Sequence, residues 1–203
     1  MLFLTSQASN TLHLLLPLLN RAPENLSVAF IPTAGDLYME KPWMEADRNK
    51  LIDLGFRVYD VDIKEFSKEQ LRQKLSTADI IFVAGGTTTY LLEKVKQSGF
   101  DQIVKELVKT GVIYIGSSAG SVLAGPNVEV DRMYDHRGLG RELDSYEGLG
   151  LVDFIVLPHA DNKKYESVIQ QIVKKFGKKY TLQKLNDNQA ILVKDNKYQV
   201  IDA

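Results

Sequence analysis

The chain of 203 residues contains no cysteine. That absence excludes disulfides, thiolate metal ligands and a thiol nucleophile together. Histidine is scarce: there are three, His13, His136 and His159. Charge of one sign is missing too, since 25 Lys and Arg against 26 Asp and Glu leave a net charge of −1. Nucleic-acid-binding domains carry a basic excess, so a nucleic-acid partner is not expected. The apolar stretch Leu12–Leu19 is interrupted by His13 and Pro17 and is too short to cross a bilayer. The N-terminal residues lack the basic region and small-residue cleavage site of a secretory signal, so a cytoplasmic protein without a membrane partner is expected. No Gly-x-Gly-x-x-Gly follows the first strand, and no Gly-Lys-Ser/Thr or His-Glu-x-x-His occurs. Neither a metal nor another cofactor is expected.

What is present reads as one α/β domain over residues 1–203. Short apolar, β-branched runs predict strands at Leu2–Leu4, Ser27–Ile31, Arg57–Asp60, Ile80–Val83, Val112–Ile115 and Phe154–Leu157. Several are apolar on consecutive residues, as in parallel strands covered on both faces. Helical patterns fall between them, near 41–54, 67–77, 88–97, 101–109 and 163–176. Ser67 with Gln70 has the spacing of a capping box. Ile103, Leu107 and Val108 form a core-facing stripe. The alternation predicts a mostly parallel central sheet with helices on both faces. Gln189–Val193 and Tyr198–Ile201, around the polar Lys194-Asp195-Asn196-Lys197, predict a C-terminal β-hairpin. The Lys-rich run at 174–179 suits a helix end, where cations oppose the dipole.

The segment carrying most chemical information is Ile115-Gly116-Ser117-Ser118-Ala119-Gly120. A buried strand running into Gly-x-Ser-x-Gly is the pattern of a nucleophile elbow. Its sharp turn places the central Ser118 at the apex and needs glycines on either side. The Ala119 N–H, opening the next helix, is a candidate oxyanion donor. A second strand runs into Gly85-Gly86-Thr87, a turn with a threonine-capped helix start, and Gly86 is the candidate second donor. For the base, His13 reads as structural among the leucines of an N-terminal helix, and His136 reads as a loop residue. His159 closes Phe154–Leu157 and Pro158 at a strand end, where ligands bind in open parallel sheets. Asp131, Asp135, Asp144, Asp153 and Asp187 are all candidates to orient it, and spacing does not separate them.

The order of Gly-Gly-Thr turn, Gly-x-Ser-Ala-Gly elbow, Leu-Pro-His strand end and late acidic turn resembles the peptidase family of dipeptidase E (aspartyl dipeptidase) and cyanophycinase. The resemblance implies a fold like that of class I glutamine amidotransferases, with serine in place of the cysteine nucleophile. It also implies a serine-type peptidase acting on short peptides through an acyl-enzyme. Mapped by motif, the nucleophile is Ser118, the base His159 and the orienting acid Asp187, with Asp135 the runner-up. The oxyanion hole is Gly86 with Ala119. Gly85, Asp135, Arg132 and Arg137 are candidate substrate contacts; Arg132, Arg137 and Arg141 are the cations near at hand for an N-terminal aspartate. The polar 131–148 stretch is a candidate lid, and a monomer or homodimer is expected. The rival readings are a serine esterase or amidase on a non-peptide substrate, and a catalytically silent relative that binds a small molecule.

Overall fold

The computed structural model describes residues 1–134, 138–139, 141–195 and 197–203. A seven-stranded sheet forms the centre. Its parallel part comprises β1 (Leu2–Thr5), β2 (Ser27–Ile31), β3 (Arg57–Asp60), β4 (Ile80–Val83) and β5 (Ile113–Ser117). The spatial order is β3-β2-β4-β5-β1, extended beyond β1 by the antiparallel hairpin of β8 (Gln189–Lys194) and β9 (Lys197–Asp202). Helices α1 (Ala8–Thr11), α2 (Pro42–Asp53), α3 (Lys68–Ser76), α4 (Thr88–Ser98), α5 (Phe100–Lys109) and α6 (Ala119–Ala124) occupy the connections. Among the described residues no helix is long and apolar enough to cross a membrane.

Consecutive apolar residues in the strands have a direct structural cause. Side chains alternate between the two faces of a strand, so a strand covered on both sides must be apolar throughout. Leu2, Leu4, Ala29, Ile31, Ile81 and Val83 enter one core with residues of α3, α4, α5 and α6. Phe3, Val28, Phe30, Ile80, Phe82 and Ile115 enter the other, with residues of α1 and α2. Phe30 and Phe82 stack there with ring centroids 4.9 Å apart, each fully buried and each contributing roughly 1.5–3 kcal/mol.

Local signals hold at several places. Ser67 caps α3 through a reciprocal capping box with Gln70. On α5, Ile103 is fully buried and Leu107 and Val108 pack partly buried against the core. Two expectations change. His13 lies exposed on a 3-10 helix, Leu12–Leu18, whose buried residues are Leu12 and Leu15. Thr87 occupies the N-cap position of α4 without capping it; its hydroxyl bonds the Tyr38 hydroxyl instead, at 3.3 Å.

The strand β6 (Phe154–Leu157) is fully buried as expected, yet it does not join the central sheet. It pairs in parallel with β7 (Thr181–Lys184), and α7 (Lys163–Phe176) makes the crossover between them. This small βαβ unit carries His159 just past the end of β6. Ser118, which follows β5, and His159, which follows β6, therefore come from two different sheets.

Candidate active site

Three strands of the central sheet deliver groups to one edge. β5 runs into Ser118, β4 into Gly85 and Gly86, and β1 into Ser6. This is the carboxyl-terminal edge of the parallel strands, where open α/β sheets bind ligands.

Ser118 adopts φ 47° and ψ −107°, outside the regions that L-residues favour. Such a conformation costs on the order of 1–3 kcal/mol and survives only where its surroundings hold it. The flanking glycines are part of that support. A Cβ on Gly116 would lie 2.6 Å from the Gly120 carbonyl carbon and the Ser121 nitrogen, while one on Gly120 would collide with the Val83 carbonyl oxygen of β4. Hydrogen bonds supply the rest: the Ser118 N–H donates to the Thr5 carbonyl at 3.0 Å, and the Ser121 hydroxyl accepts the Thr5 N–H at 2.8 Å. The elbow is thus stitched to β1.

The Ser118 Oγ lies 3.0 Å from Nε2 of His159, and Nδ1 of that ring lies 2.6 Å from Oδ1 of Asp187. His159 also has positive φ, 60°. Asp187 stands in the turn between β7 and β8. Burial works against its charge, but hydrogen bonds from His159 and Ser6 and the charge of His159 prevail and hold its pKa below the ordinary carboxylate value. Of the competing acids, Asp131 lines the same cavity, Asp144 and Asp153 lie exposed away from it, and Asp135 is outside the described residues.

Gly85 and Gly86 form the facing wall. A Cβ on Gly85 would stand 3.2 Å from Cβ of Ser118. Gly86 has φ 149°, and a Cβ there would collide with the Ala34 carbonyl, which accepts the Thr87 N–H at 2.8 Å. Among the described residues, no acceptor takes the N–H of Gly86 or of Ala119. The cavity in front of Ser118 has a volume of about 400 Å³. Tyr38 and Trp43 line one side, in edge-to-face contact at 5.0 Å, and Tyr134 and Tyr165 line another. Arg132 reaches the wall, where its guanidinium pairs with Glu142 and lies over the Tyr146 ring. Arg141 does not line the cavity; it pairs with Glu93. Arg137 and His136 lie outside the described residues.

Two residues that sequence reasoning passed over belong to this region. Ser6 touches both His159 and Asp187. Asp47, from α2, is 1% exposed beneath the elbow and accepts the Ser9 N–H at 2.7 Å. Burial pushes its carboxyl up to about 6, against hydrogen bonds from the side chain of Ser117 and from Ser9. Neither residue has a local signature, because their partners are set by tertiary packing alone.

A strained serine at a strand-to-helix turn, bonded to an imidazole that is bonded in turn to a carboxylate, is the arrangement of a serine hydrolase on an α/β scaffold. Comparison with known proteins narrows that class. The chain belongs to peptidase family S51, whose model matches residues 2–201, and it is a serine-type peptidase. It is 34% identical over 197 residues to an uncharacterised peptidase of Listeria innocua, covering 96% of this chain and 92% of the relative. It is 31% identical over 161 residues to a peptidase E of Shewanella amazonensis, covering 76% of this chain and 61% of that protein. The crystal structure of a candidate peptidase E from Listeria monocytogenes EGD-e superposes with a TM-score of 0.91 at 31% identity, covering 100% of this chain and 98% of the other.

Proposed function

We propose that this protein hydrolyses short peptides through an acyl-enzyme on Ser118, with His159 as general base and acid and Asp187 as the group that orients it. The observation that carries this reading is the unbroken chain Ser118 Oγ–His159 Nε2, 3.0 Å, and His159 Nδ1–Asp187 Oδ1, 2.6 Å. With Nδ1–H donating to the carboxylate, Nε2 is left to take the Ser118 proton as Oγ attacks the peptide carbonyl carbon. The tetrahedral oxyanion is held by the N–H groups of Gly86 and Ala119, which have no acceptor among the described residues. His159 then protonates the leaving amine as the C–N bond breaks, leaving an ester on Ser118. Water, deprotonated by His159, attacks that ester; as its C–O bond breaks, His159 returns the proton to Ser118 Oγ and the acyl portion leaves as a carboxylate.

A cavity of about 400 Å³ suits a dipeptide or tripeptide better than a folded protein. Its aromatic walls favour apolar contact. Arg132, on the wall, pairs with the exposed Glu142, a weak surface pair that a substrate carboxylate can replace. The test is release of free amino acids from a panel of dipeptides and tripeptides, Asp-Xaa included. Cleavage that Ser118→Ala abolishes supports the reading, and the preferred first residue then sets the specificity. Absence of cleavage across the panel, with turnover of simple acyl esters instead, would replace it with a non-peptide esterase.

A further inference from the structure

The two residues with the most constrained backbones at the site are Ser118 and His159, both at positive φ. Each has its N–H accepted by one of two consecutive residues at the end of β1. Thr5 takes the Ser118 N–H through its carbonyl at 3.0 Å, and Ser6 takes the His159 N–H through its hydroxyl oxygen at 2.7 Å. Thr5 and Ser6 therefore set the spacing between a residue on the central sheet and one on the β6–β7 unit. The separation along the chain is large: Ser6 lies 153 residues from His159 and 181 from Asp187.

Ser6 also acts on the acid. Its hydroxyl donates to Oδ1 of Asp187 at 2.6 Å, the same oxygen that receives Nδ1 of His159. A serine hydroxyl has one proton. Spent on Asp187, that proton cannot also go to Nδ1, which lies 3.3 Å from the Ser6 oxygen. Nδ1 must then carry its own hydrogen toward the carboxylate, and this tautomer leaves Nε2 free as an acceptor. At 1% exposure the Ser6 side chain is shielded from bulk solvent, so these bonds are made within the protein.

We propose that Ser6 is a positioning residue of the reaction: its hydroxyl holds the left-handed His159 backbone and the Asp187 carboxylate together, and so fixes the imidazole tautomer and its distance from Ser118. It acts through His159 and Asp187. The inference rests on Ser118 being the nucleophile, and the test separates the two claims.

The test is steady-state kinetics on a cleaved peptide with the wild-type chain, Ser6→Ala, Ser6→Thr and Ser118→Ala, each checked for its fold by circular dichroism and thermal melting. Ser6→Ala is expected to lower kcat about 10- to 100-fold, the loss of one or two hydrogen bonds to a charged pair, with KM little changed. The acid limb of its kcat/KM profile is expected at higher pH. With one donor gone, Asp187 Oδ1 places more of its charge on the imidazole and favours the inactive, protonated site. Ser6→Thr, which restores a hydroxyl, is expected to recover most of kcat and return the limb. A folded Ser6→Ala with wild-type kcat overturns the proposal. So does one with reduced kcat and an unmoved limb, which would mark Ser6 as structural only. Should Ser6→Ala lose its fold, Ser6→Cys, of similar shape and a weak donor, is read by the same two criteria. If Ser118→Ala retains turnover, the nucleophile assignment itself fails, independently of Ser6.

Discussion

Asp47 and Asp187 both line the cavity in front of Ser118, and the protein holds them in opposite ways. Asp47 sits beside Ser117, where its partners among the described residues are neutral donors: the Ser9 N–H and the hydroxyls of Ser9 and Ser117. Burial prevails there, and the carboxyl is pushed up to about 6. Asp187 stands behind His159 and also pays for burial, yet the imidazole and Ser6 hold it below the ordinary value. The difference lies in how deeply each is buried and in the partners each meets. Around the deeply buried Asp47 the neutral hydrogen bonds do not offset the loss of water, whereas Asp187, with its side chain 24% exposed, loses less water and also meets the imidazole.

The largest effect that can break this comparison is on rate. Asp187→Asn is expected to lower kcat about 10⁴-fold, since an amide presents the wrong partner to Nδ1. Asp47→Asn is expected to leave kcat within about tenfold, an expectation that follows from its lack of any bond to the imidazole. Measuring the two variants side by side on one peptide decides whether the acids are as different as their surroundings. Equal losses would remove the distinction.

The next effect concerns the rigid side of the site. Gly120→Ala places a methyl against the Val83 carbonyl, backbone that cannot swing away. Thermal or urea unfolding is expected to show a loss of about 3 kcal/mol or more. A variant as stable as wild type would mean that the elbow has more freedom than its contacts suggest.

A third prediction uses stability against pH. Asp47 has a folded pKa raised from 3.8 to about 6, so the folded state binds the extra proton. Stability from this group is complete below the unfolded pKa and is lost as pH rises through the folded one. A shift of about two units corresponds to roughly 3 kcal/mol between pH 4 and pH 7. Asp187 has the reverse sign: its contribution is present at neutral pH and lost as pH falls. Urea titrations of wild type and Asp47→Asn from pH 4 to 8 are expected to diverge, with the variant gaining relative stability toward the alkaline end. Parallel curves would show that Asp47 does not titrate in this range.

The smallest effect is expected at the rim. Arg132 is partly exposed and paired with Glu142, so Arg132→Ala is expected to change stability by less than about 1 kcal/mol. Its effect on KM for Asp-Xaa relative to neutral dipeptides, read in the same assay, tells whether its charge serves the substrate or only Glu142.

The comparison also explains how far the residues themselves reveal the site. The tight turn at Ser118 was legible because its constraint is local: Gly116 and Gly120 sit where a Cβ would strike backbone within a few residues or on the adjoining strand. The central strands were legible because covering both faces forces unbroken apolar runs. β7 was not, since Thr181–Lys184 is exposed at both ends and carries no apolar pattern. Without β7, β6 reads as one more strand of the central sheet. Among five acids, only the family resemblance favoured Asp187, because its contact with His159 depends on how β6 pairs with β7. Ser6 was illegible for the same reason: a lone serine after a strand is unremarkable until the fold sets it against residues far along the chain.

The most direct test of the central claim is covalent trapping with a fluorophosphonate, read by intact mass and peptide mapping. A serine activated by His159 is expected to take up one phosphonyl group, on the peptide that contains Ser118. The adduct should disappear in Ser118→Ala and fall sharply in His159→Gln. No adduct on folded wild-type protein, or one mapped to Ser117, Ser121 or a serine outside the elbow, would contradict the account.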